Sequence, residues 1–283
     1  MNEDAPAWED PRAVLARHGL RAKRGYSQNF LISQRAVDTI AAATVIDADM
    51  IVVELGAGLG TLTSALLRAG ARVIAIERDP DMLRVLEAEL GAYRLEVRRE
   101  DAAALDYAAL AAHVGGPPGV AGNLPYAITG PILRNLVEHR LSLAHAVVMV
   151  QREVRNRLVA QPGTGDYGAL TVFTQAAFAV DTVLKLGAGA FHPRPRVESA
   201  VVRLNPRAEP LAEETPAFRR TVRAAFQSRR KTLRNALATT TAPALASRAL
   251  AAAGIDPDRR GETLSVEEFA CLAAALESTE QAG

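Results

Sequence analysis

Short apolar runs alternate with amphipathic stretches over the first two thirds of the chain. Residues 50–55 (MIVVEL) form an apolar run that stops at a glycine cluster, Gly56-Ala57-Gly58-Leu59-Gly60, after which 61–69 reads as a helix. The strand, loop and helix unit repeats in outline. Residues 71–76 predict a strand, 81–90 a helix, 95–98 a strand and 107–113 a short helix, while 119–122 and 146–150 predict two more strands separated by a helical stretch at 130–140. Strands alternating with helices imply a parallel sheet covered on both faces, with ligands at the carboxyl ends of the strands.

After a helix near 151–160 and another near 169–177, two β-rich segments, 179–186 and 199–204, can pair antiparallel at one sheet edge. The loop between them, Phe191-His192-Pro193-Arg194-Pro195-Arg196, is too proline-rich for a helix or a central strand. The proline- and glutamate-rich stretch 205–215 reads as a linker. Beyond it the pattern is helical, at 216–225, 230–237, 242–253 and 265–275, with Ser265 and Glu268 spaced as a capping box. The expected organisation is a domain over 1–204, a linker over 205–215 and a small all-α domain over 216–283.

Composition changes this picture little. A chain of 283 residues suits one large and one small domain, and 49% hydrophobic with 23% charged residues excludes wholesale disorder or a fibrous design. No run approaches about 20 apolar residues and the amino terminus opens acidic and polar, so a cytoplasmic protein without a membrane partner is expected. The single cysteine, Cys271, reads as helix packing and agrees with a reducing compartment.

Charge matters through its distribution. The net charge is +1, yet between Pro11 and Val37 there are six basic residues (Arg12, Arg17, Arg21, Lys23, Arg24, Arg35) and no acid. A second acid-free run holds Arg219, Arg220, Arg223, Arg229, Arg230, Lys231 and Arg234. Both runs are read as contacts for RNA phosphates, with a solvated helix face as the plain alternative; for the run from Arg219 to Arg234 the missing interspersed acids favour the contact.

The chemistry concentrates at strand ends. Glycines at 56, 58 and 60 let the backbone approach a ligand closely. A dinucleotide fingerprint would place Gly or Ala three positions beyond Gly58, where this chain has Thr61, so a smaller adenosyl ligand fits better than a pyrophosphate. Glu77 ends the second strand, where a carboxylate can accept bonds from ribose hydroxyls, and Asp101 follows the third, where one can accept a bond from an adenine amine. Taken singly, these features also read as a tight turn, a solvated loop charge and a helix N-cap. Together they describe a nucleoside pocket.

The fourth strand ends in Asn123-Leu124-Pro125-Tyr126. An adenine exocyclic amine is a poor nucleophile because its lone pair is delocalised into the ring. The Asn123 side-chain oxygen and the Leu124 carbonyl can each accept one of its hydrogens, freeing the lone pair for in-line attack on a methyl group. Pro125 stiffens the turn, and Tyr126 offers a flat face for a base. As a bare composition, Asn-x-Pro-Tyr is also a common turn.

At this point the chain resembles the small-subunit ribosomal RNA adenine dimethyltransferases of the kasugamycin-sensitivity type. The resemblance covers nearly the whole chain. It is carried by the glycine loop, by Asn123 to Tyr126, by Ser27-Gln28-Asn29-Phe30-Leu31, by Phe191 to Ser199 (FHPRPRVES) and by Arg229 to Asn235 (RRKTLRN). Tyr26-Ser27 stands where the family has Phe-Gly. The resemblance implies a Rossmann-like class I methyltransferase with a mostly parallel seven-stranded sheet and a small all-α carboxyl-terminal RNA-binding domain. It implies S-adenosyl-L-methionine as methyl donor, held by Asn29, Leu31, Gly56, Glu77, Asp101 and Asn123, and Phe191 closing over the target adenine opposite Tyr126; read from the residues alone, Phe191 can also be a core aromatic. The implied enzyme is an rRNA adenine-N6,N6-dimethyltransferase acting as a monomer on two adjacent adenosines of 16S rRNA in an immature small ribosomal subunit. No metal is called for, since the sulfonium is already activated and the sequence holds no Cys/His cluster.

The expected mechanism is direct displacement on an unstacked adenine, with no general base and with His192 a surface or packing residue. Three rival readings stand beside it: a large-subunit RNA adenine methyltransferase of the antibiotic-resistance type, a non-catalytic ribosome-assembly or transcription factor on the same fold, and a nicotinamide-dependent dehydrogenase.

Overall fold

The structure is a computed structural model that describes residues 5–23, 25, 28–228 and 230–281. Arg24, Tyr26, Ser27 and Arg229, named above, lie outside the described residues.

The chain divides into two compact units, 1–155 with 180–206, and 156–179 with 207–283. The first opens with helix α1 (Pro11–Arg17), the short strand β1 (Phe30–Leu31) and helix α2 (Gln34–Thr44). There follow β2 (Ile51–Leu55), α3 (Thr61–Arg68), β3 (Arg72–Glu77), α4 (Pro80–Leu90), β4 (Leu95–Arg99), α5 (Tyr107–Val114), β5 (Gly119–Asn123), α6 (Thr129–Glu138), β6 (His145–Gln151) and α7 (Arg152–Leu158). Later come β7 (Phe178–Leu186), β8 (Phe191–His192) and β9 (Ser199–Pro206).

Among the described residues seven strands form one sheet in the order β4-β3-β2-β5-β6-β9-β7. The pairs β3–β4, β2–β3, β2–β5 and β5–β6 are parallel and β6–β9 is antiparallel. The chain builds outward from β2 to β4 on one side and then returns to lay β5 against β2 on the other. Such a reversal opens a crevice beyond the carboxyl ends of the two central strands.

Burial explains why these segments are strands. Val52, Val73, Ala121 and Val147 pack with Ile40, Leu62 and Leu66 of α2 and α3, while side chains of opposite parity, Val53, Leu55, Ile74 and Ile76, are buried as well. A sheet covered on both faces needs near-continuous apolar strands, which is the pattern of the sequence.

The proline-rich loop is not wholly irregular. Its first residues form β8, which pairs antiparallel with β1 in a separate two-stranded sheet, Phe30 opposite His192 and Leu31 opposite Phe191.

The second unit is helical: α8 (Ala169–Ala177), α9 (Pro216–Gln227), α10 (Leu233–Leu237), α11 (Pro243–Ala252) and α12 (Val266–Gln281). Its core joins Phe218, Leu233, Leu250 and Phe269 to Tyr167, Val172 and Ala176. The stretch 156–179 thus packs with the helices, although the sequence reading assigns it to the first domain. The reason lies in aromatic contacts: Tyr167 meets Phe226 at a tilt, and Phe173 meets Phe218 edge-on. Ala212, inside the expected linker, is buried in the same core.

Candidate active site

A cavity of about 250 Å³ opens at the carboxyl ends of β2, β3 and β5. Asn29, Leu31, Gly56, Glu77, Asn123, Leu124, Pro125 and Tyr126 all line it, so the structure brings together most of the residues singled out in the sequence.

The glycine loop is shaped by close packing. Gly58 has φ +56°, and a Cβ there would stand 3.2 Å from the Phe30 ring. Gly60 has φ +79°, and its Cβ would meet a Leu90 methyl at 2.6 Å. Both positions favour glycine for conformation, since a positive φ strains most other residues, and at each a Cβ would also press on a neighbouring side chain.

Glu77 ties this loop to the turn after β3. Its Oε2 accepts the Gly58 N–H at 2.8 Å, and its Oε1 accepts the Arg78 and Asp79 N–H groups at 2.7 and 2.8 Å. In a phosphate-binding loop such amides face the ligand. Here a carboxylate takes one of them. The described lining also sets the carboxylates of Glu77 and Glu100 against the one guanidinium of Arg78, while burial favours the protonated form of Glu54, the third acid in the wall. An acidic wall of this kind suits a cationic ligand and repels a pyrophosphate.

Glu54 is 2% exposed, and its Oε2 accepts the Thr63 hydroxyl at 2.6 Å. Burial, helped by the charge of Glu77 and opposed by the Thr63 bonds, pushes its carboxyl up to about 8. In the sequence, Glu54 lies within the apolar run 50–55 and is assigned no role. A lone carboxylate inside an apolar strand is the signal that marks it.

The loop after β5 is held from two sides. Leu124 N–H donates to the Met149 carbonyl on β6 at 3.1 Å, and the Asn123 Nδ2 donates to the Asn29 carbonyl at 2.9 Å. The Tyr126 hydroxyl lies 2.7 Å from that of Ser199. Burial raises the Tyr126 phenol above its ordinary value.

Two expected residues stand differently. Asp101 is flanked by the lining residues Glu100 and Ala102 but is not itself in the wall. Its carboxylate accepts the Ala103 N–H at 3.0 Å, capping a short helical turn, and pairs with Arg78 at 3.0 Å. Phe191 does not line the cavity. It is 3% exposed and belongs to the apolar cluster of Leu31, Val37, Met149 and Val201. The structure thus places Phe191 in the core beside Leu31, where β8 pairs with β1, and not in the cavity wall where the resemblance expects it.

The basic runs are less bare than their sequences. Arg12 pairs with Asp10 at 2.6 Å, Arg17 with Glu9 and Glu89 at 2.7 and 2.9 Å, and Lys23 with Asp79 and Asp81 at 2.7 and 2.6 Å. In the helical unit Arg219 pairs with Glu214, Arg220 with Glu280 and Arg234 with Asp258, at 2.9, 2.8 and 2.8 Å. Folding supplies acids that the local sequence lacks. Arg223, Arg230 and Lys231 are exposed and make no ion pair among the described residues.

Comparison with known proteins adds an independent line. The family model described as Ribosomal RNA adenine dimethylase matches residues 19–278. The chain is 48% identical over 280 residues to the Ribosomal RNA small subunit methyltransferase A of Anaeromyxobacter dehalogenans, covering 95% of this chain and 98% of that protein. It is 39% identical to the protein of the same name from Geobacillus thermodenitrificans, covering 98% of each. Among solved structures it resembles a dimethyladenosine transferase from Plasmodium falciparum, with TM-score 0.73, 25% identity and coverage of 89% of this chain and 98% of that one. It also resembles the 23S rRNA methyltransferase ErmE, with TM-score 0.64, 28% identity and coverage of 88% and 100%.

Proposed function

The chain belongs to the ribosomal RNA adenine dimethylase family, and on that premise we propose that it dimethylates the N6 amines of two adjacent adenosines near the 3′ end of small-subunit (16S) ribosomal RNA, with S-adenosylmethionine as donor. Relatives at 39 to 48% identity over almost their whole length carry the small-subunit name, which favours that target over the large subunit.

The observation that carries the chemistry is the bond between Asn123 and Asn29. A backbone carbonyl can only accept, so the Asn123 atom 2.9 Å from it is Nδ2, and Oδ1 is left as an acceptor beside Leu124 in the cavity wall. Oδ1 and the Leu124 carbonyl can then take the two hydrogens of an adenine amine and localise its lone pair. Tyr126, pinned at its hydroxyl, provides the face on which the unstacked base rests.

S-adenosylmethionine, when bound, supplies a methyl group activated by a sulfonium. The acidic lining fits that cation, and Asn29, Leu31, Gly56, Glu77 and Asn123 are the residues that would hold it, with Asp101 reaching its adenine amine from the rim. No general base is assigned: the methylated amine loses a proton to water, and His192 is exposed and absent from the cavity wall.

The helical unit would contact ribosomal RNA through Arg223, Arg230 and Lys231, with the immature small subunit as substrate and a cytoplasmic monomer as the working form. The test is methyl transfer from labelled S-adenosylmethionine to immature small subunits and, separately, to large subunits, followed by nucleoside analysis. Dimethyladenosine confined to small-subunit RNA is the expected result. Label in the large subunit points to the resistance-type reaction, and tight RNA binding without label makes the chain a binding protein.

A further inference from the structure

A cluster of polar side chains, one of them the lining residue Gln28, is unused by the chemistry above. Lys23 Nζ lies 2.7 Å from Asp79 Oδ1 and 2.6 Å from Asp81 Oδ2. Gln28 Nε2 donates to Asp79 Oδ2 at 2.8 Å, while Gln28 Oε1 accepts the Lys23 N–H at 2.8 Å. Asp79 is fully buried, with 0% exposure. Its own N–H donates to Glu77, which in turn accepts from the glycine loop.

The capping of α4 does not need these partners. Asp79 Oδ1 already accepts the Asp81 N–H at 3.0 Å, which is the bond a helix start requires. What Lys23 and Gln28 add is attachment of the segment that precedes β1. Residue 28 is adjacent to Asn29, whose carbonyl receives the Asn123 amide. Farther on, Ile32 N–H donates to the Ala190 carbonyl at 2.8 Å and β1 pairs with β8, so residues 28 to 32 are fastened at both ends. A buried carboxylate deprived of its counter-charge is strongly unfavourable, so the pair holds the segment firmly.

We infer that Lys23, Gln28 and Asp79 are positioning residues: they latch residues 28 to 31 against the cavity and, through the Asn29 carbonyl, set the orientation of the Asn123 amide. The latch rests on the reading of Asn123 given above. A swivelled amide would present Nδ2 where the adenine amine needs an acceptor, turning attraction into a donor-donor clash. Loss of the latch therefore lowers the rate of methyl transfer in the bound complex more than the binding of RNA.

The test compares Lys23→Met, Lys23→Arg and Gln28→Ala in the full chain, alone and combined with Asn123→Ala. The readouts are melting temperature, the Kd for S-adenosylhomocysteine, and kcat and KM on immature small subunits. Lys23→Met should lower kcat by about 10-fold to 100-fold with KM for RNA within about twofold, and weaken S-adenosylhomocysteine binding. Lys23→Arg, which keeps the charge, should restore kcat to within about threefold. Combined with Asn123→Ala, Lys23→Met should add little further loss, because both act on one amide. Should Lys23→Met fail to fold, Gln28→Ala leaves the ion pair intact and should still lower kcat, by about threefold to 10-fold. A lower melting temperature with unchanged kcat and Kd, or an equal extra loss in the Asn123→Ala background, overturns the latch. A native chain that neither binds S-adenosylhomocysteine nor methylates ribosomal RNA overturns the reading of the site instead.

Discussion

The hydroxyls of Tyr126 and Ser199 meet at 2.7 Å, although the two residues are 73 positions apart. Ser199 opens β9, is 2% exposed and sits opposite Gln151 on β6, so the sheet itself fixes the outer end of the Tyr126 ring. Removing the ring by Tyr126→Ala should cost about 1 to 3 kcal/mol of base stacking, read as roughly 5-fold to 150-fold slower single-turnover methylation. Ser199→Ala and Tyr126→Phe remove only the tether and should each cost about 1 kcal/mol. Equal effects of all three changes would argue against a stacking platform.

Asn123→Ala deletes the acceptor proposed to draw on the adenine amine. Methyl transfer should fall by about 100-fold to 1000-fold, the magnitude of losing one preorganised hydrogen-bonding group, while RNA affinity stays near native. Filter binding alongside single-turnover transfer checks both halves. Retained activity would sink the proposed role.

Glu54 couples stability to pH. Its carboxyl moves from an ordinary 4.5 up to about 8 because of burial. Between those values the folded chain keeps a proton that the unfolded chain has released, so this group makes stability fall as pH rises from about 4.5 to 8 and level off above that. Glu54→Gln should flatten that part of the profile, giving a smaller drop in melting temperature between pH 5 and about 8 than the native chain shows. Parallel profiles for the two proteins would contradict it.

Salt dependence separates the cations of the helical unit. Arg230→Ala with Lys231→Ala should weaken RNA binding across sequences and reduce the log-log salt slope by about 2. Arg220→Ala with Arg234→Ala should reduce it less, since Glu280 and Asp258 already neutralise those side chains. The comparison is made by titrating RNA at several salt concentrations. A larger slope change for the paired arginines reverses the assignment.

The sequence by itself determined what depends on neighbours along the chain. The apolar runs at 51–55, 72–77 and 119–123 are strands, and the Ser265 and Glu268 capping box makes both of its bonds, at 2.8 and 3.2 Å. Residues 123 to 126 are contiguous at the end of β5, so their shared place in the cavity wall is legible from the sequence too. Only the tertiary structure decided the rest. Asn123 meets Asn29 across 94 positions, Lys23 meets Asp79 across 56 and Arg220 meets Glu280 across 60. Each contact depends on which segments folding brings together, and no local pattern encodes that. The same holds for burial, which lifts Glu54 to about 8 and draws Phe191 out of the cavity wall, because solvent exclusion belongs to the packed molecule and not to any stretch of its chain.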